Sequence, residues 1–255
     1  MSTTSHTAFT TRATVVLYLR EAKYEFLRLL RTPAFAVPTL VFAPMFYLLF
    51  GVLLNRGDPG AASYLMATYS VFGVIGPGLF GFGVGLAMDR ERGLLTLKRV
   101  QPVPALAPLL AKVGMAMIFA TCIGATLLAL GLTLGGVRMD ATQSALLLCV
   151  DILGVMPFCA LGLLIGTLVG GNGAPAVVNL IYMPMALLSG LWLPLKMLPA
   201  VVGQIAPLWP AWHLGQLGLK IVGQDDGKPA WMHVAVLLCF TAICLFLAQR
   251  RLQRA

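Results

Sequence analysis

Tyr64–Met88 reads YLMATYSVFGVIGPGLFGFGVGLAM, twenty-five residues without one charged side chain, and Asp89, Arg90, Glu91 and Arg92 follow directly. At about 1.5 Å of rise per residue, a helix of that length covers the roughly 30 Å hydrocarbon layer of a bilayer. An unbroken apolar run ended by a knot of charges is the pattern of a transmembrane helix emerging into water. The run does not alternate polar and apolar residues, as a β-barrel strand would.

Outward from this stretch the pattern repeats. Ala34–Leu54 carries no charge, Pro108–Leu134 has Lys112 near its start, and Ser144–Val169 holds one acid, Asp151. Ala174–Leu193 and Trp231–Ala248 complete the set. The sequence therefore predicts an all-α integral membrane protein of six transmembrane helices, a single domain over residues 1–255. The first run starts too late and runs too long for a cleaved signal peptide. Composition agrees: 59% hydrophobic residues, 11% charged and a mean hydropathy of +0.88 exclude an ordinary soluble domain. The stretches between the runs are too short for a soluble catalytic domain. Cys122, Cys149, Cys159, Cys239 and Cys244 all fall inside predicted spans, without metal-site spacing, and read as packing residues.

Lys and Arg set the orientation. Thirteen of the eighteen basic residues lie on the side of the two termini, among them Arg12, Arg20, Lys23, Arg28, Arg31, Arg90, Arg92, Lys98 and Arg99. Five (Arg56, Arg138, Lys196, Lys220, Lys228) lie on the other side. Positive-inside bias thus predicts a multi-pass protein of the cytoplasmic (inner) membrane with both termini in the cytoplasm. Anionic lipid headgroups account for the net charge of +9, and no nucleic-acid partner is needed.

Four regions are more than plain span. In residues 12–31, Val15, Leu19, Ala22, Phe26 and Leu29 gather on one arc of a helix, with Arg20, Lys23, Arg28 and Arg31 roughly opposite. This predicts an interfacial amphipathic helix, acting as an anchor alone or also touching a cytoplasmic partner. Residues 89–107 place Leu94, Leu95 and Leu97 between a charged start (Asp89, Glu91, Arg92) and Lys98-Arg99, before Pro102, Pro104 and Pro108. Leucines on a short cytoplasmic loop helix suit a groove on another protein, or else pack back on their own bundle.

In residues 194–229 and beside them lie all four tryptophans (Trp192, Trp209, Trp212, Trp231) with Pro194, Pro199, Pro207 and Pro210. Leu198–Ile205 and Trp212–Val222 are apolar but too short to cross. They predict a re-entrant outer hairpin between spans five and six, broken at Pro207–Pro210. Trp209, Pro210, Trp212 and His213 then form either an outer gate or a structural belt. Within the spans, Gly81/Gly85 and Gly162/Gly166/Gly170 permit close helix approach. Asp151 either lines a polar pathway or makes a satisfied internal hydrogen bond, and Asn179 poses the same question more weakly.

Familiar catalytic chemistry is missing. The one Gly-Lys pair, Gly227-Lys228, precedes Pro229 and forms no phosphate-binding loop. There is no HExxH, GxSxG or close acid pair within a span.

The order of parts resembles the ABC-2 type permeases, the membrane subunits of ATP-binding-cassette exporters. The resemblance rests on Glu91-Arg92-Gly93-Leu94 with Lys98-Arg99 and Pro102-Val103-Pro104. Leu188-Ser189-Gly190-Leu191-Trp192-Leu193-Pro194, and Pro210-Ala211-Trp212-His213-Leu214 with Gln216-Leu217, add to it. The chain departs at Lys98, where many members carry a second acid. The resemblance implies that Glu91, Arg92 and Leu97, framed by Asp89 and Arg99, belong to a coupling helix that meets an ATPase subunit, flanked by Arg28 and Arg31. It further implies a second permease copy or sister permease, and no cofactor on this chain, with ATP and Mg2+ on the partner ATPase. Export of a small amphipathic, drug-like or lipid-linked substrate is the expected activity. A stand-alone channel or secondary carrier is the alternative, ahead of a membrane enzyme.

Overall fold

The computed structural model describes residues 11–55, 57–94 and 107–254. Among the described residues every regular element is a helix. Helix α1 (Thr11–Leu30) lies along α5 (Ala107–Thr133). Helix α2 (Pro33–Phe46) starts with a proline in its first turn and continues as a wider π-turn segment, Tyr47–Leu53. Helix α3 (Pro59–Gly76) is capped by Asp58, whose Oδ1 accepts from the Gly60 amide at 2.8 Å. It widens into the π segment Pro77–Val84 and ends as α4 (Gly85–Glu91). Pro77 supplies no N–H, so the regular ladder breaks there.

Helix α6 (Ala141–Gly154) opens on a capping box between Asp140 and Gln143. It meets α7 (Met156–Leu168) at a kink beside Pro157. Helix α8 (Ala174–Leu188) follows, then α9 (Ala200–Ile205), α10 (Pro210–Ile221) and α11 (Ala230–Arg254).

Among the described residues, five helical stretches are long and apolar enough to cross a membrane: Pro33–Leu53, Pro59–Glu91, Ala107–Thr133, Ala141–Leu168 and Ala230–Gln253. The fifth predicted span, Ala174–Leu193, is helical for only 15 residues, which is about 22 Å at the usual rise. It stops because Gly190 takes a left-handed φ of 73°. The Gly190 and Leu191 amides fold back onto Leu187 O and Ala186 O, at 3.1 Å each.

The core forms where the π segment Pro77–Val84 meets α7 at backbone distance. A Cβ on Gly162 would stand 2.6 Å from Gly78 O and 3.0 Å from Gly83 N. Helix α1 buries Ala22 and Glu25 and brings the Phe26 ring within 4.9 Å of Phe119, the two rings tilted, while Leu19 is largely exposed. The helix break predicted at Pro207–Pro210 is present, with Ala206–Leu208 a short 3-10 turn between α9 and α10. Helix α10 packs against α3 and α11 and buries Ala211, Trp212, His213, Leu214 and Gln216.

Candidate functional site

Four charged side chains meet where α1, α4 and α5 converge. Lys112 on α5 is almost fully buried, and its ammonium lies 2.5 Å from Glu25 Oε1 and 2.8 Å from Asp89 Oδ2. Arg28, one turn along α1 from Glu25, donates to Glu25 Oε1 at 2.7 Å and Asp89 Oδ1 at 3.2 Å. Two acids and two bases leave the cluster without net charge. That balance is what makes a buried lysine tolerable, because an isolated charge out of water costs far more than a paired one. Gly85 makes the space: a Cβ there would stand 3.4 Å from Lys112 Nζ.

The cluster sits at the base of the 89–107 loop, with Asp89 at its entry and Lys112 shortly after its exit. Of the sequence-predicted coupling residues, Asp89 and Arg28 are drawn into this network. Glu91 and Arg92 are exposed, and the Glu91 carboxylate lies against Gly171 at the turn after α7. Arg31 is exposed at the end of α1. Leu97 and Arg99 lie outside the described residues. Arg90 adds a tie that sequence reading missed, donating to Thr167 O at 2.8 Å at the last turn of α7. Glu25 was missed as well. Lys112, the lone base inside a span, was its one available signal.

Asp151 and Asn179 are not brought together. Asp151 is fully buried; its Oδ1 accepts from Ser70 Oγ of α3 at 3.0 Å, and its Oδ2 has no hydrogen-bond partner among the described residues. A Cβ on Gly124 of α5 would stand 2.7 Å from that second oxygen, so Asp151 fills the seam between α3, α5 and α6. Ser70→Ala removes the hydroxyl that contacts both Asp151 Oδ1 and Ala67 O, each at 3.0 Å, and is expected to lower stability by about 1–3 kcal/mol, read as a fall in the melting temperature of the detergent-purified chain. Asp151→Asn keeps an acceptor for Ser70 and is expected to melt within about 1 kcal/mol of the unsubstituted chain.

Asn179 is exposed and lines a different place, a pocket of about 280 Å³ between α2, α3 and α8. Phe35, Phe42, Phe72, Phe80 and Tyr182 form most of its wall, with Thr39 adding a polar edge. Tyr182 stacks on Phe72 at 5.2 Å and donates its hydroxyl to Phe72 O at 3.1 Å, fixing α8 to α3.

On α10, Pro210, Trp212 and His213 are buried, and Trp209 is the capping residue just before the helix. His213 Nδ1 lies 3.0 Å from Nδ1 of His233 on α11, and His213 Nε2 lies 3.0 Å from Pro207 O. Trp212 stands edge-on to both rings. Asp226 Oδ1 is 3.4 Å from His233 Nε2, and Asp226 Oδ2 is 3.2 Å from Lys228 Nζ, whose ammonium lies over Trp212. Burial, the largest influence, pulls His213 below the ordinary imidazole range, while the Pro207 carbonyl acts in the opposite sense. The hydrogen bond from Lys220 holds the nearby Asp225 carboxyl below its usual range.

Residues 18–221 match the ABC-2 type transporter family. The chain belongs to that family and is a multi-pass membrane protein. It is 27% identical over 238 residues to the Bacillus subtilis (strain 168) protein "Putative transport permease YvfS", covering 91% of this chain and 96% of that one.

Proposed function

We propose that the chain is the permease subunit of an ATP-binding-cassette exporter. In this reading it takes its energy from a separate ATPase that binds ATP and Mg2+, and it works as a homodimer or beside a sister permease. The observation that carries the reading is the buried Glu25–Arg28–Asp89–Lys112 cluster. It locks together the interface helix and both ends of the 89–107 loop, so a push on that loop moves three helices at once.

The ATPase docks on the loop through Glu91, Arg92, Leu97 and Arg99, with Arg31 alongside. Asp89 and Arg28 act behind that surface, by passing the movement inward. Helix α8 counts as the fifth of six spans, its length completed by the non-helical residues after Gly190. The α9–α10 segment is the outer re-entrant hairpin, and both termini face the cytoplasm of the inner membrane. The aromatic pocket with Asn179 is part of the path for a small amphipathic, drug-like or lipid-linked molecule.

The test is a mild-detergent pull-down of the tagged chain with ATPase activity assayed on the recovered material. Recovery of an ATP-hydrolysing subunit is the expected result, and changing Glu91 and Leu97 together is expected to abolish it while the permease stays inserted. A chain that comes down alone, even after crosslinking in membranes, would overturn the reading in favour of a stand-alone channel or carrier.

A further inference from the structure

Three contacts run in a row at the hairpin end: Pro207 O to His213 Nε2, His213 Nδ1 to His233 Nδ1, and His233 Nε2 to Asp226 Oδ1. Both ends of the row, a carbonyl and a carboxylate, only accept hydrogen bonds. Each contact needs one hydrogen, so the row needs three, and two neutral imidazoles bring two. In any neutral arrangement one contact sets lone pair against lone pair. That contact is the Nδ1 pair at 3.0 Å, a ring nitrogen against Pro207 O, or a ring nitrogen against the Asp226 carboxylate. His233 Nε2 is buried and, among the described residues, has no hydrogen-bond partner; its 3.4 Å approach to Asp226 Oδ1 is an ion-pair distance, and this is the contact left without a hydrogen when the other two are satisfied by neutral rings.

We propose that the His213–His233 pair holds one shared proton, balanced by Asp226, and that this proton fastens α10 to the start of α11. The hairpin is then attached tightly at low pH and loosens as the proton leaves.

The surroundings set the balance, and the burial of both rings opposes the proton. Asp226 favours the proton. Lys228, 3.2 Å from the other Asp226 oxygen, and Lys220, occupied by Asp225 at 2.7 Å, oppose it. Of the other helices packed against α10 and α11, α7 offers only the thiol of Cys159. Helix α3 brings the phenols of Tyr64 and Tyr69, and α6 brings Asp151, which is held by Ser70. Charge at the row therefore comes from Asp226 and the two lysines. The proposal stands apart from the transport reading, and recovery of the chain without an ATPase would leave it untouched.

The experiment uses the full chain in nanodiscs with nitrogen-15 histidine and His6→Gln, so that the two paired rings alone report. Both rings are expected to titrate together, taking up one proton per pair between about pH 5 and 9. Amide exchange in α10, corrected for its intrinsic pH dependence, is expected to be about tenfold faster on the high-pH plateau, a one-unit coupling. Asp226→Asn supplies the third hydrogen from its amide and is expected to abolish both the titration and the exchange step, leaving α10 slow to exchange throughout. Two independent ring midpoints, or no uptake across that range, would overturn the proposal. So would a proton that never leaves, and so would exchange in α10 that ignores the titration. The wild-type titration decides the matter even if the Asp226→Asn variant folds poorly.

Discussion

Lys112→Met is expected to destabilise the protein by about 3–5 kcal/mol, the cost of leaving buried carboxylates without their counter-charge. Glu25 and Asp89 are each about nine-tenths covered at the side chain, and Lys112 contacts both. Arg28 would remain, but 43% of its side chain is exposed, so it compensates weakly. The check is the loss of monodisperse protein on heating in detergent. The triple replacement Glu25→Gln, Asp89→Asn, Lys112→Met removes every orphaned charge except the half-exposed Arg28. It is expected to recover part of that loss, because no buried carboxylate is then left without a counter-charge. A triple variant that folds but no longer stimulates a recovered ATPase on substrate addition would separate the cluster's stabilising role from coupling. A Lys112→Met chain that melts like the original would remove the cluster from both accounts.

The second large effect is expected at Gly162. A single methyl there would meet Gly78 O at 2.6 Å and Gly83 N at 3.0 Å, and both are backbone atoms that cannot rotate away. Helix α7 must then move off the Pro77–Val84 segment, and Gly162→Ala is expected to cost about 1–3 kcal/mol. Gly203→Ala is the internal control. It places the same methyl in α9 with nothing within 4 Å, and is expected to be neutral or slightly stabilising. Equal melting of the two variants would mean that α7 and the π segment are not held at backbone contact.

Most helices were legible in the sequence because an unbroken apolar run reports its own length. Ala174–Leu193 misled for a definite reason: apolar composition continues through Gly190, but helical dihedrals do not, and composition carries no record of φ. The proline-marked break between α9 and α10 was readable because Pro207 and Pro210 act locally. The arc of α1 was read by hydrophobicity alone, which overlooked Glu25, buried because it pairs with Lys112 across helices. The charged cluster joins residues 25, 28, 89 and 112, a separation no motif spans. The His213–His233 contact was equally hidden, because each histidine reads alone as an ordinary polar residue near a helix end.

The direction in which Lys112 meets its partners bears on how the chain is made. A lone lysine entering a bilayer is costly, and the ribosome delivers the chain from its N-terminus. Glu25 and Asp89 are both synthesised before Lys112, so its counter-ions are already in place when the third apolar run leaves the ribosome. A circular permutant that began at α5 would reverse that order and present the ammonium to lipid before either acid existed.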